Sequence, residues 1–206
     1  MVLHYPNGRA YHQSVSDKMQ PKRQHENSDI VFGNRGMSLE EELNQSNTYY
    51  LQKDIAVIHK KPVPIQIVQV SYPKRSAAVI KEAYFKQSST TDYNGVYKGY
   101  YLDFEAKETR SKTSFPLSNF HEHQVNHMKA CTRQGGICFT IIKFSVTQQL
   151  FLLPAAILFE YWDNQSKTKG RKSIEKKVIA DFGYAINYHV QPLIPYLTYV
   201  DKLINK

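Results

Sequence analysis

Cysteine is almost absent: Cys131 and Cys138 are the only two among 206 residues. Two thiols are too few for a disulfide framework, and their spacing is not CxxC. Both are expected to be buried and reduced. Long apolar runs are missing too. The longest, Leu150 to Phe159, is interrupted by Pro154 and falls well short of the roughly 18 residues a membrane helix needs. The opening stretch MVLHYPNGRAYHQ lacks the apolar core of a secretion signal, so a cytoplasmic location is expected. There is no internal repeat and no HExxH motif.

What is present is positive charge. Lys and Arg number 27 against 18 Asp and Glu, for a formal net charge of +9 and an isoelectric point near 9.4. Such a balance favours a polyanionic partner. Fifteen Tyr and ten Phe accompany it, and aromatic faces can stack on unpaired bases. Hydrophobic residues at 41% and charged residues at 22% are ordinary for a globular chain. The length suits one domain with a sizeable core.

Residues 1–33 are polar, basic and aperiodic, carrying Arg9, Lys18, Lys22 and Arg23. They read as a disordered basic arm, leaving 34–206 as the domain proper. Ser38 and Glu41 form a capping-box pair ahead of a helix whose Leu39, Leu43 and Tyr50 share a face. Glu40 and Glu42 flank that stripe, and either can point to an internal site. Strands are predicted at IAVIHK from Ile55 and at Pro62–Val70. Tyr72-Pro73-Lys74-Arg75 makes a basic turn. Ala77–Lys86 is amphipathic and reads as helical. Asn94-Gly95 carries hairpin-turn chemistry, and Val96–Lys107 reads as one strand. A helix is expected over Asn119–Arg133, stopped by Gly135-Gly136. Strands at Ile137–Phe144 and Leu150–Leu153 and a helix at Pro154–Trp162 follow. The polar, lysine-rich stretch Asn164–Lys177 leads to a tail of loop and terminal helix. This succession is α/β: a mixed sheet with flanking helices.

The chemistry concentrates at TTDYNG and, about a dozen residues on, FEAK. On a strand, Leu102, Phe104 and Ala106 face one way, while Asp103, Glu105 and Lys107 face the other. A hairpin ahead of that strand can bring Asp92 beside Glu105. Two close carboxylates repel unless a cation sits between them. Mg²⁺, with its preference for hard oxygen ligands, suits such a pair, with Mn²⁺ as a substitute. Lys107 can then orient a water or offset charge on a phosphate in flight. Asp103, farther from Lys107, reads as a strand-end charge. Glu108 and Arg110 read as a local pair.

The blocks NRGMSLEEEL, IAVIHKKPVPIQIV, YPKRSAAVIKEAYF, STTDYNGVYKGYYLDFEAKET and TSFPL together resemble the RecU family of bacterial Holliday junction resolvases, from about Tyr5 to the C-terminal tail. The resemblance implies a restriction-endonuclease-like, PD-(D/E)xK fold with a protruding stalk. It implies a homodimer that uses Mg²⁺ to nick symmetric strands of four-way DNA junctions, leaving 5′ phosphates, in recombination, repair and chromosome segregation. It further implies contact with RecA, partnership with the RuvAB branch-migration machinery, and association with the nucleoid. By position it makes Asp92 and Glu105 metal ligands and Lys107 the transition-state stabiliser. Thr90 and Gln124 become further metal-site residues. A likeness to archaeal resolvases at the start of the first helix makes Glu40 catalytic.

The stalk falls at about 64–85, with Tyr72, Lys74, Arg75, Lys81, Tyr84 and Phe85 as candidates for phosphate and base contact, Arg75 foremost. His123 and His127 are one helical turn apart, a spacing compatible with zinc, but no cysteine is counted as joining them. With His121 they are expected to meet DNA phosphates or solvent. Two other functions remain open: a nuclease of the same chemistry acting on ordinary duplex, and a non-catalytic DNA-binding regulator of a recombinase.

Overall fold

The computed structural model describes residues 37–74, 77–86 and 90–205. The arm expected over 1–33 lies outside them. Helix α1 (Leu39–Gln52) begins where the sequence places it. Ser38 Oγ accepts the Glu41 N–H at 3.3 Å, and the Glu41 carboxylate accepts the Ser38 N–H at 2.7 Å. A second carboxylate, Glu108, accepts the Leu39 N–H at 2.5 Å. Negative charge at a helix N-terminus offsets its unpaired N–H groups. Glu108 thus ties α1 to the sheet and does not serve the local pair with Arg110 expected above.

Six strands form the central sheet in the order β1-β4-β5-β7-β8-β10. They are β1 (Val57–Lys60), β4 (Tyr93–Tyr97), β5 (Tyr100–Thr109), β7 (Ile137–Phe144), β8 (Gln149–Pro154) and β10 (Tyr184–Ile186). β5 and β7 are parallel; the other neighbours are antiparallel. The parallel step requires a crossover, supplied by β6 (Ser114–Pro116), a short 3₁₀ turn at Leu117–Asn119, and α2 (Glu122–Arg133). One sheet face packs Leu102, Phe104, Phe139, Ile141 and Leu152 against Leu39 and Leu43 of α1 and Leu197 and Val200 of α5 (Leu197–Ile204). The other face buries Cys138, Ile142, Phe151 and Leu153 with residues of α2, α3 (Ala155–Asn164) and α4 (Lys176–Phe182). A mixed central sheet with helices on both faces is the architecture expected from the sequence.

Three expectations about the strands and helices are also corrected. The reversal before β5 is not at Asn94-Gly95 but at Lys98-Gly99, so Val96–Lys107 is two strands. Lys98 and Gly99 have φ of 51° and 81°, the left-handed pair that a two-residue hairpin turn requires. Gly95 sits inside β4, opposite Ile58 of β1. A Cβ there would stand 2.1 Å from the Val57 carbonyl oxygen and 2.6 Å from Ile58 Cα. The glycine serves close strand approach, not a turn.

The second correction concerns Ala77–Lys86, which holds strand β3 (Val79–Phe85) instead of a helix. It pairs antiparallel with β2 (Ile65–Ser71) in a ribbon separate from the main sheet. VIKEAYF is rich in β-branched and aromatic residues, and a partner strand settles what seven amphipathic residues leave ambiguous. The third is the tail, which contributes β10 as a sixth strand. The polar stretch before it holds β9 (Ser173–Glu175), paired with β6.

Candidate active site

The β4–β5 register sets Tyr93 opposite Phe104, which carries Asp92 alongside Glu105. Glu105 is wholly buried. Its Oε2 accepts the Asp92 backbone N–H at 3.1 Å. Its Oε1 accepts the Gln124 side-chain amide at 2.8 Å and the Lys107 ammonium at 2.7 Å. Gln124 is itself held by the His121 N–H at 3.0 Å. The Asp92 carbonyl takes the Lys61 N–H at 2.7 Å, so both sides of that residue's backbone are fixed.

Burial pushes the Glu105 carboxyl up to about 8, and the neighbouring Asp92 carboxyl adds to the rise; the Lys107 ammonium opposes it. Removal from water costs a charge more than one ammonium returns. Between about pH 4.5 and 8 the folded site therefore holds Glu105 protonated, and a cation that binds there must displace that proton.

Glu40 lies in the first turn of α1, half-exposed, and pairs with Lys60 of β1. Its charge is felt in the same region: burial first, then Glu40, Asp92 and Glu105, push the Tyr93 phenol up. All three carboxylates thus lie within electrostatic reach of one phenol, whose ring stacks on Phe104 at 4.9 Å. Glu42, the other flanking glutamate, turns inward to Lys143 at 2.7 Å and Tyr188 at 2.9 Å. Thr90 donates to the Thr91 carbonyl at 3.3 Å. Tyr72, Lys74 and Lys81 are exposed on or beside the β2–β3 ribbon, which is separate from the main sheet. Arg75 lies outside the described residues.

Asp103 is not a strand-end charge. It is fully buried beneath α2, and its carboxylate accepts from Lys61 Nζ at 2.9 Å, Tyr101 Oη at 2.8 Å and the Thr91 hydroxyl. His127 Nε2 lies 3.1 Å away. Burial, with Asp103 adding to it, pushes the Tyr101 phenol up to about 12. Lys61, Thr91 and Tyr101 are members of this network with no role expected from the sequence, and His127, expected to meet DNA phosphates or solvent, meets Asp103 instead. A signal existed. Alternation puts Asp103 and Glu105 on one face of β5, and Gln124 and His127 are three apart on α2. Each helix residue meets one strand residue. Cys131, one further turn along from His127, places Sγ 3.5 Å from His127 Nε2. A cysteine does therefore join the histidine at helical spacing, contrary to the expectation.

A family model described as RecU, Recombination protein U, matches residues 34–202. A curated relative from Ligilactobacillus salivarius, named Holliday junction resolvase RecU, is 64% identical over 212 residues, covering 99% of each chain. Relatives of the same name from Latilactobacillus sakei and Lactiplantibacillus plantarum are 59% and 57% identical, covering 99% and 100% of this chain and 97% and 98% of their own. A solved Holliday junction resolvase, Hjc from Archaeoglobus fulgidus, overlays 65% of this chain and 84% of its own at 13% identity. Its TM-score of 0.36 is too low to bear on the site. On the family match and on relatives similar over their whole length, the chain belongs to the RecU family.

Proposed function

We propose that this chain is a Holliday junction resolvase, a divalent-metal-dependent endonuclease that nicks symmetric strands of four-way DNA junctions. The observation that carries the reading is the buried Glu105 held between Asp92, Gln124 and Lys107, in a chain of a family whose curated members bear that name. Two adjacent carboxyl groups offering oxygen donors fit a hard divalent cation; Mg²⁺ is the proposed ion and Mn²⁺ its substitute. Asp92 and Glu105 would hold it, with Thr90 and Gln124 in support. Such a cation supplies Lewis acidity at the scissile phosphate when bound. Lys107, one fifth exposed, orients the attacking water and offsets charge building on the phosphate. Glu40, at the mouth, is the proposed further acid. Gln124 keeps Glu105 in one rotamer.

The β2–β3 ribbon is the proposed stalk. It exposes Tyr72 (72%) and Phe85 (84%) among lysines, and Arg75 is proposed to act with them on the junction centre. Its sequence neighbours suit phosphate contact and base stacking. A homodimer would present two sites to symmetric strands. RecA and the RuvAB machinery are its proposed partners, in the cytoplasm at the nucleoid. Among the described residues no helix is long and apolar enough to cross a membrane.

The test compares a four-way junction with linear duplex of the same sequence, in Mg²⁺ and in EDTA. Paired nicks in the junction alone, lost in EDTA and in Asp92→Asn, are expected. Equal rates on both substrates would favour the duplex nuclease. Nicking that persists in Asp92→Asn would discard the site, and a wild type that binds but never cuts would favour the non-catalytic regulator.

A further inference from the structure

The Asp103 network contains three ligand types that zinc sites use: a carboxylate, an imidazole and a thiol. Asp103, His127 and Cys131 each bring one ligand atom, and these atoms all lie within 4.8 Å of one another. Zinc with bonds of about 2.0–2.3 Å in a tetrahedron separates its nitrogen and oxygen ligands by about 3.3 Å and its nitrogen and sulfur ligands by about 3.6 Å. The structure has 3.1 Å between His127 Nε2 and Asp103 Oδ2, and 3.5 Å between His127 Nε2 and Cys131 Sγ. Two edges of the tetrahedron are therefore already in place. His127 and Cys131 are held one turn apart by α2, and Asp103 is fixed on β5, so the three ligands themselves move little, while the donors on Asp103 Oδ2, Lys61 and Tyr101, must turn aside.

We propose that Asp103, His127 and Cys131 form a second metal site, selective for zinc or a similar thiophilic divalent ion and separate from the Glu105 site. The charges balance: a carboxylate, a thiolate and a neutral imidazole cancel a divalent ion, and the Cys131 proton leaves to solvent. The metal-free network meets the same need differently, with the Lys61 ammonium against Asp103 Oδ2. The ion replaces that ammonium, and Lys61, partly open to solvent, withdraws. The fourth position is left to water. A groove of about 600 Å³ lined by Tyr101, His127, Cys131, Gly135 and Gly136 gives the ion a way in. Thiolate and imidazole donors suit zinc, whereas Mg²⁺ prefers an all-oxygen shell, so the two sites sort their ions by chemistry. The proposal stands independently of the nuclease reading.

The test uses the full-length chain, kept reduced with a phosphine, and Co²⁺ as a spectroscopic stand-in for zinc. The expected result is a one-to-one thiolate-to-cobalt absorption in the near ultraviolet, with strong visible bands of a tetrahedral ion, bleached by equimolar Zn²⁺. Cys131→Ser should abolish the near-ultraviolet band, and His127→Ala should weaken Co²⁺ binding by at least about 10-fold, since losing even an outer-layer partner costs that much. Asp92→Asn should keep the band. No thiolate absorption in the wild type, a band that survives Cys131→Ser, or a band lost with Asp92→Asn would each overturn the assignment.

Discussion

Replacing Glu105 with glutamine should stabilise the metal-free protein while ending cleavage, and the gain should depend on pH. The Glu105 carboxyl is raised from 4.5 to about 8, chiefly by burial. At 1.36 kcal/mol per unit, that shift is worth on the order of 5 kcal/mol between the two protonation states. The sign follows from which state binds the proton more tightly. Below about pH 4.5 folded and unfolded chains both carry it, and the substitution exchanges one neutral group for another. Between about 4.5 and 8 the unfolded chain releases the proton and the folded one keeps it. Wild-type stability from this group is therefore lost as pH rises through that window, while the glutamine variant is spared. The opposing pull of Lys107 is already contained in that shift; the amide NH2 cannot accept as a carboxyl oxygen does, and the donor it leaves unmet takes back about 1–3 kcal/mol, leaving a net gain of about 2–4 kcal/mol near pH 9. For a chain of this size that is a rise in Tm of roughly 5–15 °C. Urea and thermal unfolding of both proteins in EDTA, from pH 4.5 to 9, measure it. A stability difference that stays flat with pH, or that turns against the variant at high pH, would refute the reasoning.

Other outcomes follow from the same structure. Loading Mg²⁺ at pH 7 should expel close to one proton, because Glu105 must ionise to bind it. Calorimetry in buffers of different ionisation enthalpy reads the number, and affinity should rise with pH until about 8. Lys143→Met strands the buried Glu42 carboxylate and should cost about 3–5 kcal/mol in urea unfolding. Gly95→Ala drives a methyl into the Val57 carbonyl; it should cost at least about 1–3 kcal/mol, with hydrogen exchange fastest along β1 and β4. Lys107→Ala should keep junction binding in gel-shift assays but slow cleavage by about 100-fold or more.

The polarity of β5 was legible in its residues. Strand geometry alternates side chains, so Leu102 and Phe104 had to oppose Asp103, Glu105 and Lys107 wherever the strand lay. The α1 cap was legible for a similar reason, since Ser38 and Glu41 act on their own neighbouring backbone. Asp92 could be placed beside Glu105 because a hairpin joins them, even with its turn misplaced. Local chemistry could not say why Gly95 is glycine, because the atoms that exclude a side chain belong to β1, nearly forty residues away. Nor could it show that Asp103 is buried. That depends on α2 crossing over β5 and laying Gln124, His127 and Cys131 along it. The sequence by itself determined which residues could act and which way each element's side chains point. The tertiary structure alone decided which charges lose their water and which partners meet them, because desolvation and long-range pairing come from packing between elements distant in the chain.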